Sequence, residues 1–442
     1  MSNALAAGGV LSRFGPDAIN RDGTDADPDW LIDARRGALR WVAEHGFPTR
    51  KDENWRYTKL APILDVAFEP ARAGGGERAS TLLMLSAVAD LRGPRLVFVN
   101  GHFRAELSRA ARLPIGATVC SLAIALRAHP ERLEPILSRR PGPEQQAFAA
   151  FNGALATDGA FIHLAAGTSL TNPIHLVFLS DTGGAALVSS PRSVVLADER
   201  SRMTIVETHI GVDRDVHCTN SVTDIVLAND AQVEHYKIQD EPETAFHLAL
   251  LDVQQGPRSR FSSHSMMLGA RIARQEVRVT LQGDGAQVSL DGLYLPRGEQ
   301  VHDNTVFVDH AATNCTSHQL YRGVLDGRGR GVFNGHIMVR PGADGTDANQ
   351  KNKNLILSDR AEADTRPRLE IYADDVKCTH GAAVGQLDED AVLYLRSRGL
   401  AKPDAERMLV HAFVHEMVDR IALAPIRTQL QTLLADRSFG EH

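Results

Sequence analysis

Short apolar runs separated by polar corners dominate the chain from about residue 190 to residue 385. Ser193-Val-Val-Leu196 and Met203-Thr-Ile-Val-Glu-Thr208 are typical: rich in β-branched residues and bounded by Gly, Asn or Asp. Leu96-Val-Phe-Val-Asn100 and Ile174-His-Leu-Val-Phe-Leu179 have the same texture earlier in the chain. Between residues 190 and 385 no stretch keeps the spacing of an amphipathic helix. Gly285-Ala-Gln-Val-Ser-Leu-Asp-Gly-Leu-Tyr-Leu295 is echoed by Gly329-Arg-Gly-Val-Phe-Asn-Gly-His-Ile-Met-Val339, and polar corners return at Asn229-Asp230 and Asp374-Asp375. Units of turn plus short strand cannot bury their inner faces alone, so they stack on their neighbours. The pattern predicts a parallel β-helix. A β-sandwich or jelly roll would need more Asn-Gly type hairpin signals than the chain supplies.

Helical spacing is confined to the ends and one interruption. Residues 1–27 read as a loose leader, and 28–45 as a helix with Trp30, Leu31, Ala34, Leu39, Trp41 and Val42 on its apolar face. Leu122, Leu126, Leu133 and Leu137 predict a helical insertion at about 120–155. Three helices are expected after the β-region, at 387–399, 403–421 and 424–435. The resulting partition is an N-terminal helical domain (1–94), a β-helix core (95–385) and a C-terminal helical domain (386–442). Because terminal coils of a solenoid need covering, the helices are expected at or near its ends. The C-terminal helices either dock a partner or pack on one another and on the β-domain.

Composition narrows the class. The net charge of −7 is spread without a basic cluster, which argues against a nucleic-acid partner. Cys120, Cys218, Cys315 and Cys378 stand far apart with no CxxC pair, a usage that fits a reducing cytosol. The start of the chain has no signal-peptide pattern, and the longest apolar stretch, 161–179, is broken by His163, Gly167, Asn172, Pro173 and His175. The expectation is a cytoplasmic protein without a membrane segment.

Most catalytic signatures are missing. No Gly-Lys dipeptide exists, so a Walker loop is impossible and any ATP chemistry belongs to a partner. Gly327-Arg-Gly-Arg-Gly331 lacks both the third glycine of a dinucleotide loop and its βαβ context, and reads as a solenoid corner. His411 and His415 lie four apart on a helix, but Ala412 stands where a metalloprotease would carry Glu. His302, His310 and His318, around Asp303 and Asp309, are expected to line one edge of the solenoid.

One strand carries ligand-type chemistry. After Asp374-Asp375, strict alternation puts Val376, Cys378 and His380 on one side and Lys377 and Thr379 on the other. A thiol and an imidazole so placed can share a proton or hold one metal ion, but two protein ligands do not complete a tetrahedral site. Any further ligands must come from elsewhere, including another chain. Taken alone, the pair favours a packed strand with one satisfied histidine and an inert cysteine.

Three stretches resemble the SufB/SufD family of iron–sulfur cluster assembly scaffolds: Thr49-Arg-Lys-Asp-Glu-Asn-Trp-Arg-Tyr-Thr-Lys-Leu60, Ser358-Asp-Arg-Ala-Glu-Ala-Asp-Thr-Arg-Pro-Arg-Leu-Glu-Ile371, and Asp374 to Gly385. The resemblance covers essentially the whole chain. It implies a right-handed parallel β-helix between helical domains and a non-catalytic scaffold that pairs with a SufB-type subunit. It also implies a SufC-type ABC ATPase docked on the C-terminal helices, and a homodimer as a possible state of the isolated chain. Cys378 and His380 match the family's Cys-x-His, whose histidine is tied to assembly of a transient iron–sulfur cluster. FADH2 enters as a possible cofactor of the complex by resemblance alone. Thr379-His380-Gly381 differs from the Glu-His-Glu of SufB, and Asn352 falls near that subunit's sulfur-accepting cysteine, so the resemblance points to the D-type sibling. The alternative is a β-helix enzyme acting on carbohydrate or acyl donors, for which the chain shows neither an export signal nor a hexapeptide repeat.

Overall fold

The computed structural model describes residues 27–86, 91–139 and 147–435; nearly all of the expected leader lies outside them. From Ile174 to Gly385 the chain winds as a parallel β-solenoid, and from Arg192 on each successive strand alternates between two facing sheets. One sheet ends in Arg330–Val339 and Glu362–Ile371, the other in Thr346–Ile356 and Val376–Gly385. Throughout 190–385 all ladders between named strands are parallel. The antiparallel pairs lie earlier, at Arg95–Val99 with His102–Phe103 and at Ala117–Ser121 with Ala160–Leu164.

The corners explain how residues without turn propensity sustain this winding. At six successive corners one residue, Arg200, Asp230, Arg258, Gly285, Asn314 or Gly345, takes a left-handed conformation with φ between 54° and 72°. Each donates its N–H to a carbonyl of the next coil's corner, from Arg200 to Asn229 and finally from Gly345 to Asp375, at 2.8–3.0 Å. The ladder of corner bonds offsets the left-handed strain, modest for Asp and Asn and larger for Arg. Gly327, in the Gly-Arg-Gly stretch, also has φ 63°, as a corner demands.

Inward rows form one continuous apolar column that includes Ile205, Val233, Phe261, Val288, Val308 and Phe333. The echo between 285–295 and 329–339 has a different origin from coil repetition. Gln287 pairs with Thr316, 29 residues on, whereas the echo is displaced by 44 residues, about one and a half coils, and relates strands on opposite sheets. What repeats is the half-coil of corner plus strand.

The helices flank the solenoid instead of covering its ends. Asp29–His45 and Ala147–Leu155 pack together on the outer face of one sheet, where Val42, Phe148 and Phe151 meet Phe246, Leu248 and Ile272. Lys402–Asp419 and Ala424–Ala435 lie along the outside of the other, where Val414, Met417 and Leu430 meet Tyr236, Ile238, Met266 and Leu293. Arg322 ties that packing down through the Phe413 carbonyl at 2.7 Å and an ion pair with Glu416, and Arg420 reaches Asp291 at 2.9 Å. The cause is the outward rows of the middle coils: they are apolar and require cover, so the amphipathic stripes settle there.

Candidate functional site: the open last coil

Val376–Gly385 pairs with Thr346–Ile356 on one side, and no described strand lies on the other. The neighbouring Glu362–Ile371 is likewise the end of its sheet. The C-terminal end of the solenoid is therefore an uncovered lumen rimmed by two free strand edges, beside the exposed Ile371, Tyr372 and Val384.

Cys378 and His380 both continue inward rows. Cys378 stands opposite Ala348 and packs half-buried against the cluster of Ile337, Val339, Ala343 and Ala348. Burial first, and then the charge of Asp347, push its thiol above the ordinary value, so it stays protonated at neutral pH. His380 stands opposite Gln350 and is exposed, because no further coil covers it. Among the described residues no group of three or more His, Cys, Asp or Glu side chains is arranged to hold a metal ion.

The other histidine candidates disperse. His302 and His310 point into the lumen, bonding the Gly269 carbonyl at 2.9 Å and Ser317 Oγ at 2.8 Å, while His318 is exposed on the outside. They do not line one edge, since the strand's alternation sends even-numbered residues of Val301–His310 inward but those of Thr316–Leu325 outward. His415 contacts Asp419 at 3.1 Å, and among the described residues it belongs to no group of three or more side chains arranged to hold a metal ion.

The middle of the lumen holds a polar layer that the strand pattern alone did not single out. Glu207, His209, His235, Lys237, Glu241 and His247 are all at most 3% exposed. Thr223 Oγ1 donates to Glu207 at 2.8 Å, Thr219 Oγ1 to Glu241 at 2.7 Å, and His247 lies 2.7 Å from Glu241. Burial pushes Lys237 down, opposed by the charges of Glu207 and Glu241, while both carboxyls are held well below their usual range by the facing histidines. The signal was present in the sequence: charged residues at the inward parity of otherwise β-branched strands.

Comparison with known proteins gives the family. The model described as SUF system FeS cluster assembly, SufBD core domain, matches residues 178–413, and that of the SufBD protein N-terminal region matches 21–176. The chain belongs to the SufBD family. It is 33% identical over 429 residues to an iron–sulfur cluster assembly SufBD family protein of Synechocystis, covering 92% of this chain and 91% of that one. It is 29% identical to the iron–sulfur cluster assembly protein SufD of Escherichia coli, covering 91% and 92%. With SufD of Bacillus subtilis the identity is 24%, covering 92% and 94%. This chain is thus an iron–sulfur cluster assembly protein of the SufBD family.

Two further properties follow from its surface. None of the described helices is long and apolar enough to cross a membrane. A groove of about 650 Å³ lies between the N-terminal segment and the outer face of the solenoid, lined by Trp41, Phe307, Arg278 and Arg368 among others. Arg278 is paired with Glu276 at 2.6 Å and Arg368 with Glu370, and with Asp52 and Glu53 also in the lining the carboxylates outnumber these two guanidiniums, which opposes a diphosphate. The groove does not fit a flavin dinucleotide, and no step proposed below runs through one.

Proposed function

We propose that this chain is the D-type scaffold subunit of an assembly complex, and that its last coil supplies half of a site where an iron–sulfur cluster is built transiently as cargo. The observation that carries the reading is His380: an exposed imidazole at the mouth of the lumen, on a strand whose outer edge has no described neighbour. An edge rich in Gly and Ala with no described neighbour is a template for strand addition by another chain. A SufB-type subunit with its own open coil is the partner proposed, with a second copy of this chain filling the same edge in isolation. Ligands donated across that junction complete the coordination that two residues cannot. His380 is the readier ligand, since a neutral imidazole binds metal directly, whereas the half-buried Cys378 thiol must first lose its proton.

The proposed docking place of a SufC-type ATPase is the outward face of the C-terminal helices. Lys402–Asp419 and Ala424–Ala435 use their inner faces on the solenoid, but Leu393, Tyr394 and Met408 are exposed. In Glu389–Ser397, Val392 is the one buried residue. An exposed apolar patch of this kind marks a protein contact. Turnover belongs to that partner, consistent with a chain that lacks a phosphate loop, and the complex works in the cytosol.

The test is His380→Ala in the purified three-component complex. Assembly should persist, because one side chain is a small part of a large interface. Iron and sulfide recovered with the complex should fall. Normal iron in a correctly assembled variant overturns the reading.

A further inference from the structure

The motif Thr49–Leu60 has no part in the function proposed above, yet it crosses four successive strands of one sheet. Trp55 is 3% exposed, and the guanidinium of Arg274, on Ile272–Leu281, sits 4.1 Å from its ring centroid. Arg274 is ion-paired with Asp303 on Val301–His310, and Asp303 also accepts a hydrogen bond from Thr58. All four side chains are buried, so this is a firm anchor. Two contacts continue to Arg330–Val339: Asn334 donates to Asn54 at 3.0 Å, and Arg330 stacks 5.7 Å from the ring of Tyr57. The strap ends on the free edge strand Glu362–Ile371, where the Glu53 carboxylate pairs with Arg366 and lies 3.8 Å from Arg368.

From this arrangement we infer that Glu53 is a positioning residue for the open coil. Among the described residues Glu362–Ile371 has a backbone partner strand on one side only, so the described contacts to its outer half come from side chains. Arg366 and Arg368 face outward to the strap, while Leu369, the residue after Arg368, faces inward. Leu369 packs on Ile337, Val339, Ala343 and Ala348, the same cluster that receives Val376 and Cys378. Glu53 thus fixes the pitch of the edge strand, and Leu369 transmits it to the strand that carries Cys378 and His380. Ion pairs as exposed as these are individually weak. They matter here because an edge strand opens locally at low cost, and a small bias changes how often it does so. The segment Glu53–Thr58 is therefore a strap that holds the docking end in a ready shape.

The experiment is amide hydrogen exchange on the full chain, comparing Glu53→Gln and Glu53→Arg with the parent. Exchange over 362–371 and 376–385 should accelerate, by about two- to fivefold for Glu53→Gln and more for Glu53→Arg. The interior strand Phe246–Gln255 should be unaffected and serves as reference. Restoring opposite charges with Glu53→Arg, Arg366→Glu and Arg368→Glu together should return the terminal strands toward parental exchange. Unchanged terminal strands, equal acceleration in the reference strand, or absence of rescue would each overturn the proposal. The consequence for His380 rests on the function proposed above, whereas the exchange measurement does not. Failure of exchange sinks the strap, and normal iron in His380→Ala sinks the functional reading, independently of one another.

Discussion

Gln350 and His380 are direct neighbours in the parallel register, and their environments are opposite. Gln350 is fully buried and donates to Gln319 Oε1 at 2.8 Å, while His380, one coil further along the same inward row, is exposed. One row of the lumen passes from buried amide to exposed imidazole in a single step because the coils stop there. His380 is in this sense a core position without a core above it. His380→Ala should therefore leave stability within about 0.5 kcal/mol, as for a surface site, which thermal melting would check.

The C-terminal helices set a constraint on how ATPase docking can be tested. Cutting the chain after Gln386 would uncover Tyr236, Ile238, Met266 and Leu293, so the truncated chain should aggregate, visible by light scattering. Leu393→Asp with Met408→Asp removes only exposed apolar surface. That double variant should lose ATPase co-purification with its melting temperature essentially unchanged. Retained co-purification would move the docking site elsewhere.

Acid should unfold the solenoid before it titrates the surface carboxylates. Burial pushes His175 down to about 3, and His247 and His310 down to about 4. These buried sites, His247 and His310 in the lumen and His175 on the outer face of its strand, refuse protons that the unfolded chain accepts near 6.5. The stability from these neutral imidazoles is complete above about pH 6.5 and is lost as pH falls toward 4, by roughly 1.4 kcal/mol per pH unit for each. Glu207 and Glu241, held below their usual range, add to the loss under about pH 4.5. Urea midpoints measured from pH 7 to 5 should fall steeply. His175→Gln, which keeps a partner for Thr208, should flatten that slope by about one proton.

Two glycines make room for tyrosine rings in the lumen. A β-carbon at Gly292 would sit 2.2 Å from the ring of Tyr321, and one at Gly323 would sit 2.3 Å from that of Tyr294. Both tyrosines are almost fully buried, so neither ring can withdraw. Gly292→Ala should destabilise by about 1–3 kcal/mol through overpacking, read from denaturant unfolding. Parental stability would mean the coil can widen.

Arg274 is the charge on which the strap depends. Arg274→Met would leave Asp303 buried without its cation and remove the stack on Trp55. A loss of about 3–5 kcal/mol is expected. Trp55 fluorescence should report release of the strap at lower denaturant than far-ultraviolet loss of the solenoid. Coincident transitions would show that strap and solenoid unfold as one unit.

Much of this molecule was legible in the order of its residues. Period-two alternation with β-branched side chains, interrupted by polar corners, determines stacked strands, because inward and outward positions separate only in that geometry. The acids opening Glu389–Ser397 and the Asp388 side chain that caps it through the Asp390 and Ala391 N–H groups are local effects, readable without a fold. So was the alternation that puts Cys378 and His380 on one row. Other features have no local cause. Arg200 and Arg258 take left-handed corners because the next coil offers a carbonyl, not because arginine favours that shape. Helices that look like end caps lie on the flanks because Phe246 and Met266, distant in sequence, create apolar faces there. Glu53 meets Arg366 across 313 residues, a separation that no spacing rule reaches. Above all, the open coil is a property of where stacking ends: His380 and Gln350 obey the same alternation, and only the presence or absence of the next turn decides which is core and which is exposed.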